Sequence, residues 1–336
     1  MKKTLIASAI AAATFSGSVF AQSEMSASEL AAKMDSMPSV YGNIQYVLTH
    51  TNVDGAGSTV EHADNGSTLG VKHDHEIAPG ITGFFKLELE GINADDKTKS
   101  SGIDSLDEAY IGVKGDFGQV WVGSDDSTYE SAIVKIANFY EFAAYNFGGE
   151  FETGEGDLVQ YKTPSFGGLT LGAAVQINGD LDDATLSDKG ADKSYPYQLA
   201  ATYAVDNVEL AVAMDSNDGA GGPNNENTYG LRATVGLDAL SLTGQFQTRK
   251  DVGDLFGAHA VYSMGANQFA ASYELAVADD ANDTEASTIT LQALHNLSDH
   301  MYVYVEGYLG DGDDGVYGVS NESERSALAV GGVYYF

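Results

Sequence analysis

Apolar and polar residues alternate one for one along most of the chain, in runs of about ten residues. In 81–91, Ile81, Phe85, Leu87 and Leu89 share one parity and Thr82, Lys86, Glu88 and Glu90 the other. In 300–310, Met301, Val303, Val305 and Leu309 oppose Tyr302, Tyr304, Glu306 and Tyr308. Such alternation predicts half-buried β-strands. The sixteen predicted strands are 40–50, 66–77, 81–91, 105–114, 117–124, 157–165, 169–178, 194–205, 208–216, 227–237, 240–250, 254–264, 268–278, 286–297, 300–310 and 325–336. Their connections take turns between tiny ones, such as Gly115-Asp116 or Asp206-Asn207, and long ones rich in Asp, Asn, Gly and Ser.

Taken alone, the alternation fits both a soluble sandwich and a membrane barrel. The asymmetry of short turns and long loops favours the barrel. So do the aromatic residues near strand ends, read as an interface girdle: Tyr41, Phe84, Tyr110, Phe117, Phe166, Tyr195, Phe256, Tyr262 and Tyr334. The expected fold class is all-β, a transmembrane antiparallel up-and-down β-barrel of 16 strands over 40–336. Sixteen strands enclose an aqueous channel, whereas eight are filled by side chains. Phe336 falls on the lipid parity with Leu328, Val330 and Tyr334.

Ahead of the barrel, Lys2 and Lys3, the apolar stretch Leu5–Phe15 and Val19-Phe20-Ala21 have the layout of a signal peptide over 1–21, cut after Ala21. Residues 22–39 follow as a short periplasmic segment. Leu30, Met34 and Met37 stand at helical spacing before Pro38, so the segment is either a helix or a disordered leader.

Composition sharpens this picture. The chain has 16 Lys+Arg against 49 Asp+Glu, a net charge of −33. Without Lys2 and Lys3 the balance is 14 against 49, or −35. That excludes a phosphate-binding basic surface and hence nucleic acid, and it favours cations in the protein's field. Cysteine is absent, so there is no disulfide and no thiolate metal site.

Three segments and the last strand carry a resemblance. GSTLGVKHDHEIAPGITGFFKLELEG at 66–91, DEAYIGVKGDFGQVWVGSDDST at 107–128, VQYKTPSFGGLTLGAAVQ at 159–176 and VGGVYYF at 330–336 resemble the Gram-negative general porin family. The resemblance implies a homotrimer in the outer membrane, among lipid and lipopolysaccharide, with Phe336 read as an assembly signal by the barrel assembly machinery. It also implies a long third loop, here 125–156, folded into the lumen as a constriction. Ser131–Tyr140 within it is apolar enough for a short helix. The acidic side is then Asp125, Asp126, Glu130, Glu141 and Glu150. The facing wall is Lys72, Lys86, Lys114, Lys162 and Arg232, with Trp121 adding an aromatic surface. Two arginines of the family's wall are Trp121 and Ser124 here, and a third is Thr68. A weaker positive wall predicts cation selectivity.

The function expected is passive diffusion of ions and small hydrophilic solutes, with no bond made or broken. One alternative is a substrate-specific porin for sugars or other small solutes, using Trp121 and the lumen tyrosines. The others are a barrel hydrolase and an adhesin. For a hydrolase only His259 sits mid-strand on the lumen parity, and no signature surrounds it. His73 and His75 share the outward parity, and a zinc site needs three or four converging ligands. Cofactors are therefore none, beyond incidental Ca²⁺ or Mg²⁺ at acidic loop runs such as Asp279-Asp280 and Asp311-Gly312-Asp313-Asp314.

Overall fold

The computed structural model describes residues 37–336 apart from 99, 101, 104, 143–150, 152, 178–194 and 218–225. The predicted signal peptide, most of the 22–39 segment and Glu150 lie outside the described residues. The strands are β1 Ser39–Val53, β2 Gly57–Asp64, β3 Thr68–Ala78, β4 Ile81–Glu90, β5 Ser105–Gly115, β6 Gly118–Ser124, β7 Leu158–Lys162 and β8 Leu169–Gln176. They continue as β9 Tyr197–Val205, β10 Val208–Asp215, β11 Thr228–Leu237, β12 Leu240–Arg249, β13 Gly253–Met264, β14 Asn267–Ala278, β15 Glu285–Ser298, β16 Met301–Gly312 and β17 Glu324–Tyr335.

Apart from β2 and β3, consecutive strands pair antiparallel, and β1 pairs with β17, from Asn43↔Tyr335 to Val53↔Arg325. That pairing closes the sheet. The other edge of β1 is shared: β3 takes Ser39–Asn43 and β2 takes Tyr46–Val53. β2 and β3 are thus one stave broken at 65–67, and the closed barrel has 16 staves. The predicted connection 51–65 is therefore mostly strand, a hairpin extension whose Glu61 and Thr59 keep the alternation going. At the break, the Asp64 carboxylate accepts the Gly66 and Ser67 amides, at 3.1 and 2.7 Å, and the Ser67 hydroxyl accepts the Gln45 amide.

Polarity is turned inside out. Along β15, Thr288, Thr290 and Gln292 are buried, while Ile289 and Leu291 are 44% and 52% exposed. Along β17 and the Phe336 that follows it, Ala327, Ala329 and Val333 are buried, while Leu328, Val330, Tyr334 and Phe336 are exposed. The buried polar set includes Gln160, Gln198, Gln245, Gln247, Glu274 and Glu306. An apolar surface this continuous is untenable in water, but it matches the lipid-facing band of a membrane barrel. Among the described residues no helix is long and apolar enough to cross a membrane.

The aromatic girdle is smaller than the sequence predicts. Phe117, Phe166, Tyr195, Phe256, Tyr262 and Tyr334 are exposed on the outside. Tyr41, Phe84 and Tyr110 instead share the parity of Lys86 and point inward. Phe84 stacks edge-on to Tyr110, and Tyr41 donates to Glu88 at 2.5 Å. Strand parity overrides nearness to a strand end.

Inward aromatics lie across glycines on the paired strand. Tyr304 is the direct partner of Gly331, and a Cβ there would meet its ring at 2.3 Å. Tyr41 covers Gly70 in the same way. Such aromatic cover makes up for the packing that a sheet glycine lacks. Gly331→Val is expected to destabilise the barrel by about 1–3 kcal/mol through overpacking. Urea unfolding from liposomes measures it, and the same substitution in a Tyr304→Ala background should be tolerated markedly better.

Candidate functional site

The polar face of the barrel meets one long connection, residues 125–157 between β6 and β7. Its described part begins with helix α1, Thr128–Ile133, and a single 3₁₀ turn, Ala137–Phe139. Ser127 caps α1: its hydroxyl accepts the Glu130 amide at 3.0 Å. The helix starts three residues before the predicted 131–140. Ser127 followed by Glu130 is the signal for that start, a serine cap with glutamate three residues on.

Loop and wall interlock. The Tyr129 hydroxyl donates to Gln247 (3.0 Å) and the Tyr129 amide to Gln198 (3.1 Å). The Lys135 amide donates to Gln245 (3.1 Å). Ile133 and Tyr129 sit over Gly230, and Ile136 over Gly257; a Cβ at either glycine would approach within 2.7 Å. His259 is buried against Phe139 and Tyr140, with ring centroids at 4.5 and 5.6 Å.

Farther along, the Glu141 and Phe142 amides donate to the two oxygens of Glu306, both at 2.9 Å. Gln292 and the Tyr308 hydroxyl donate to the same carboxylate at 2.8 and 2.6 Å. Glu306 is fully buried, and four donors replace its water.

The predicted residues separate into groups. Asp126 and Glu130 lie on the loop, Asp126 near Lys135 of the loop and near Lys86 and Glu108 of the wall. Lys86 is clasped by Glu88, at 3.0 Å, and by Glu108. Lys114 pairs with Asp74 at 2.6 Å, and Lys72 lies 4.7 Å from the centre of the Tyr41 ring. Arg232 is buried under the loop rather than lining open channel: Nε donates to the Ala132 carbonyl (2.8 Å) and Nη2 to Glu209 (2.6 Å). Asp125 accepts from Trp121 Nε1 at 2.6 Å, and Glu141 accepts from the Tyr302 hydroxyl at 2.8 Å. Lys162 is exposed beside Trp121 and α1.

Burial pushes Asp125 up to about 6, helped by Glu108 and Asp126 and opposed by the Trp121 hydrogen bond. Asp126 is raised by burial and then by its neighbours Glu130 and Glu108. Burial likewise raises Glu141 to about 6.

Sequence reasoning missed Glu88, Glu108 and Glu306 as site residues. Their polar parity was visible, but their partners come from other strands or from the loop. Carboxylates of the acidic loop runs accept backbone amides of their own turn or of a neighbouring strand. Asp280 accepts from the Asn282 and Thr284 amides, and Asp313 from the Glu285 amide. Among the described residues no three potential ligands gather into a metal site.

A closed barrel with an apolar exterior and a polar, charge-lined interior defines a pore-forming outer-membrane protein. The chain belongs to the Gram-negative porin family, whose model matches residues 7–315. It is 27% identical to a monosaccharide porin of a Halomonas species over the full length of both chains. It is 26% identical to outer membrane porin protein 32 of Delftia acidovorans, covering 90% of this chain and 88% of that one. The fold matches the solved anion-selective porin from Comamonas acidovorans with a TM-score of 0.71 at 20% identity, over 89% of this chain and 99% of that one. Members of this family are channels rather than enzymes.

The Glu306 contacts make it the anchor of the loop's far limb. Glu306→Ala should speed hydrogen exchange of the Glu141 and Phe142 amides by about tenfold or more, since bonds to a buried carboxylate are worth about 1.5–3 kcal/mol each. Mass-spectrometric exchange in micelles would detect this, with the Tyr129 amide on Gln198 as an unaffected internal reference.

Proposed function

We propose that the chain forms a water-filled pore for passive diffusion of ions and small hydrophilic solutes, that the third loop lies in the lumen as its constriction, and that the pore prefers cations. The clasp of Lys86 between Glu88 and Glu108, with Asp126 and Glu130 nearby, carries this reading. A lysine bracketed by two carboxylates offers little net positive field, so the surplus at the constriction is negative. Lys114 and Arg232 are each paired with one carboxylate, Asp74 and Glu209. The anion selectivity of the Comamonas porin is not carried over: at 20% identity the likeness is one of fold, and selectivity follows side chains.

The proposal includes delivery to the outer membrane after cleavage near Ala21, and assembly as a homotrimer among lipopolysaccharide. A second reading, a route favouring small sugars, is supported by the full-length likeness to a monosaccharide porin and by the inward aromatics Trp121, Tyr302, Tyr304 and Tyr308.

Reversal potentials across a KCl gradient in planar bilayers test the main reading. Potassium should permeate over chloride; a preference for chloride would refute it. One unit charge about 6 Å from the ion is worth about 0.7 kcal/mol in water, roughly threefold in relative permeability. Glu108→Gln and Asp126→Asn should each lower the ratio by about that factor, and Lys86→Gln should raise it.

The pH dependence has a definite sign. A carboxyl with a raised pKa takes its proton at higher pH than a free one, so charge is lost early on acidification. With Asp125 at about 6 and Asp126 shifted the same way, the potassium preference should fall between about pH 7 and pH 5. Asp125→Asn should flatten that part of the profile.

A further inference from the structure

On the short-turn side of α1, the inner wall is hollowed where β6, β7, β8 and β9 run side by side. The hollow is about 210 Å³, and Gly172 and Ala200 lie at its base. At about 30 Å³ per water it holds on the order of seven waters. That suits one small solute and not a chain. Gly172 runs close beneath α1: a Cβ there would stand 3.0 Å from the Thr128 methyl, so a larger residue would crowd the edge of the hollow.

The lining has a distinctive chemistry. Trp121 contributes an aromatic surface, and its bond to Asp125 restrains the indole. Around it stand the Gln119 amide, the Thr170, Thr202 and Ser131 hydroxyls and the Lys162 ammonium. Gln160 belongs to the frame: it accepts from Thr128 at 2.6 Å and donates to the Asp126 carbonyl at 3.0 Å. Among the described residues, the Gln119, Thr170 and Thr202 side chains are not engaged by a protein partner.

Each ligand class meets this lining differently. An anion gains Lys162 but faces the Asp125 carboxylate held on Trp121. A cation gains the Asp125 carboxylate but meets Lys162. An apolar solute leaves hydroxyls and an amide unpaired, which is costly once they are desolvated. A neutral polyhydroxylated solute satisfies all of them, with C–H groups on the aromatic surface and hydroxyls toward groups that both donate and accept.

We propose that the hollow bounded by Trp121, Gln119, Lys162, Thr170 and Thr202 is a binding station for a neutral polyol of monosaccharide size, entered from the pore. The station rests on the open-pore reading, because its ligand must arrive through the lumen.

The test is single-channel recording of the full chain in planar bilayers, with D-glucose as probe and D-gluconate as its anionic counterpart. Glucose should interrupt the current of the unaltered protein in a concentration-dependent way, and gluconate far less. Trp121→Ala should weaken the glucose block by about tenfold or more, the loss expected for one aromatic contact of about 1.4 kcal/mol. Trp121→Phe should retain much of the block. Thr202→Leu, which fills the hollow and leaves the Trp121–Asp125 pair in place, should weaken it too. Equal block in Trp121→Ala and the unaltered protein, or block by gluconate as strong as by glucose, would overturn the station. Ion conductance with no glucose effect would also overturn it while leaving the pore reading intact. A protein that inserts and conducts no ions would overturn both.

Discussion

A backbone surrounded by hydrocarbon must satisfy its own hydrogen bonds, and a sheet does so only by having no edge. The pairing of β1 with β17 meets that requirement, and everything else in this molecule depends on it. Once the ring is shut, each strand has an apolar side and a polar side, and a one-residue slip would exchange them. The single broken stave, β2 with β3, keeps the ring shut because β1 is long enough to pair with both pieces. The break then becomes useful: the Asn65 side chain donates to the Glu141 carbonyl at 2.6 Å and so ties the hairpin to the loop.

The interior is organised by the same economy of polar groups. Glutamines on the wall receive or offer the bonds that a loop backbone would otherwise make to water, and one fully buried carboxylate gathers four donors. The inward cations divide between one committed to the loop and those paired on the wall, such as Lys86 and Lys114. Arg232 illustrates the division: it is basic and inward, yet its guanidinium is committed to a loop carbonyl and to Glu209. Charge in the lumen therefore differs from charge in the composition.

Much of the fold was legible because lipid on one side and water on the other force a strict period of two. The outward Leu328, Val330 and Phe336 and the inward Ala327, Ala329 and Val333 follow from that period alone. Tyr41, Phe84 and Tyr110 lie near strand ends yet face inward, because parity outranks position along the strand. Residues 57–64 were missed because their Gly, Ser, His and Asp content resembles a loop. The site was less legible. Glu141 and Glu306 are 165 residues apart, and only the register of sixteen staves brings them together. Whether Lys86 counts as a positive wall depends on Glu88 and Glu108, and the latter comes from the paired strand at a bulge, where Glu88 and Glu108 stand opposite each other.

The glycines beneath the loop have a consequence for descent and for engineering. Gly230 and Gly257 accept Tyr129, Ile133 and Ile136 as a lock accepts a key. A loop grafted from another barrel would arrive without matching teeth, and a side chain added at either glycine would eject the native one. Loop and wall must therefore change in concert, whereas exposed loop side chains such as Ser131 and Lys135 are free to vary. Lineages descended from such a barrel could diverge in what they admit while keeping the seat of the loop unchanged.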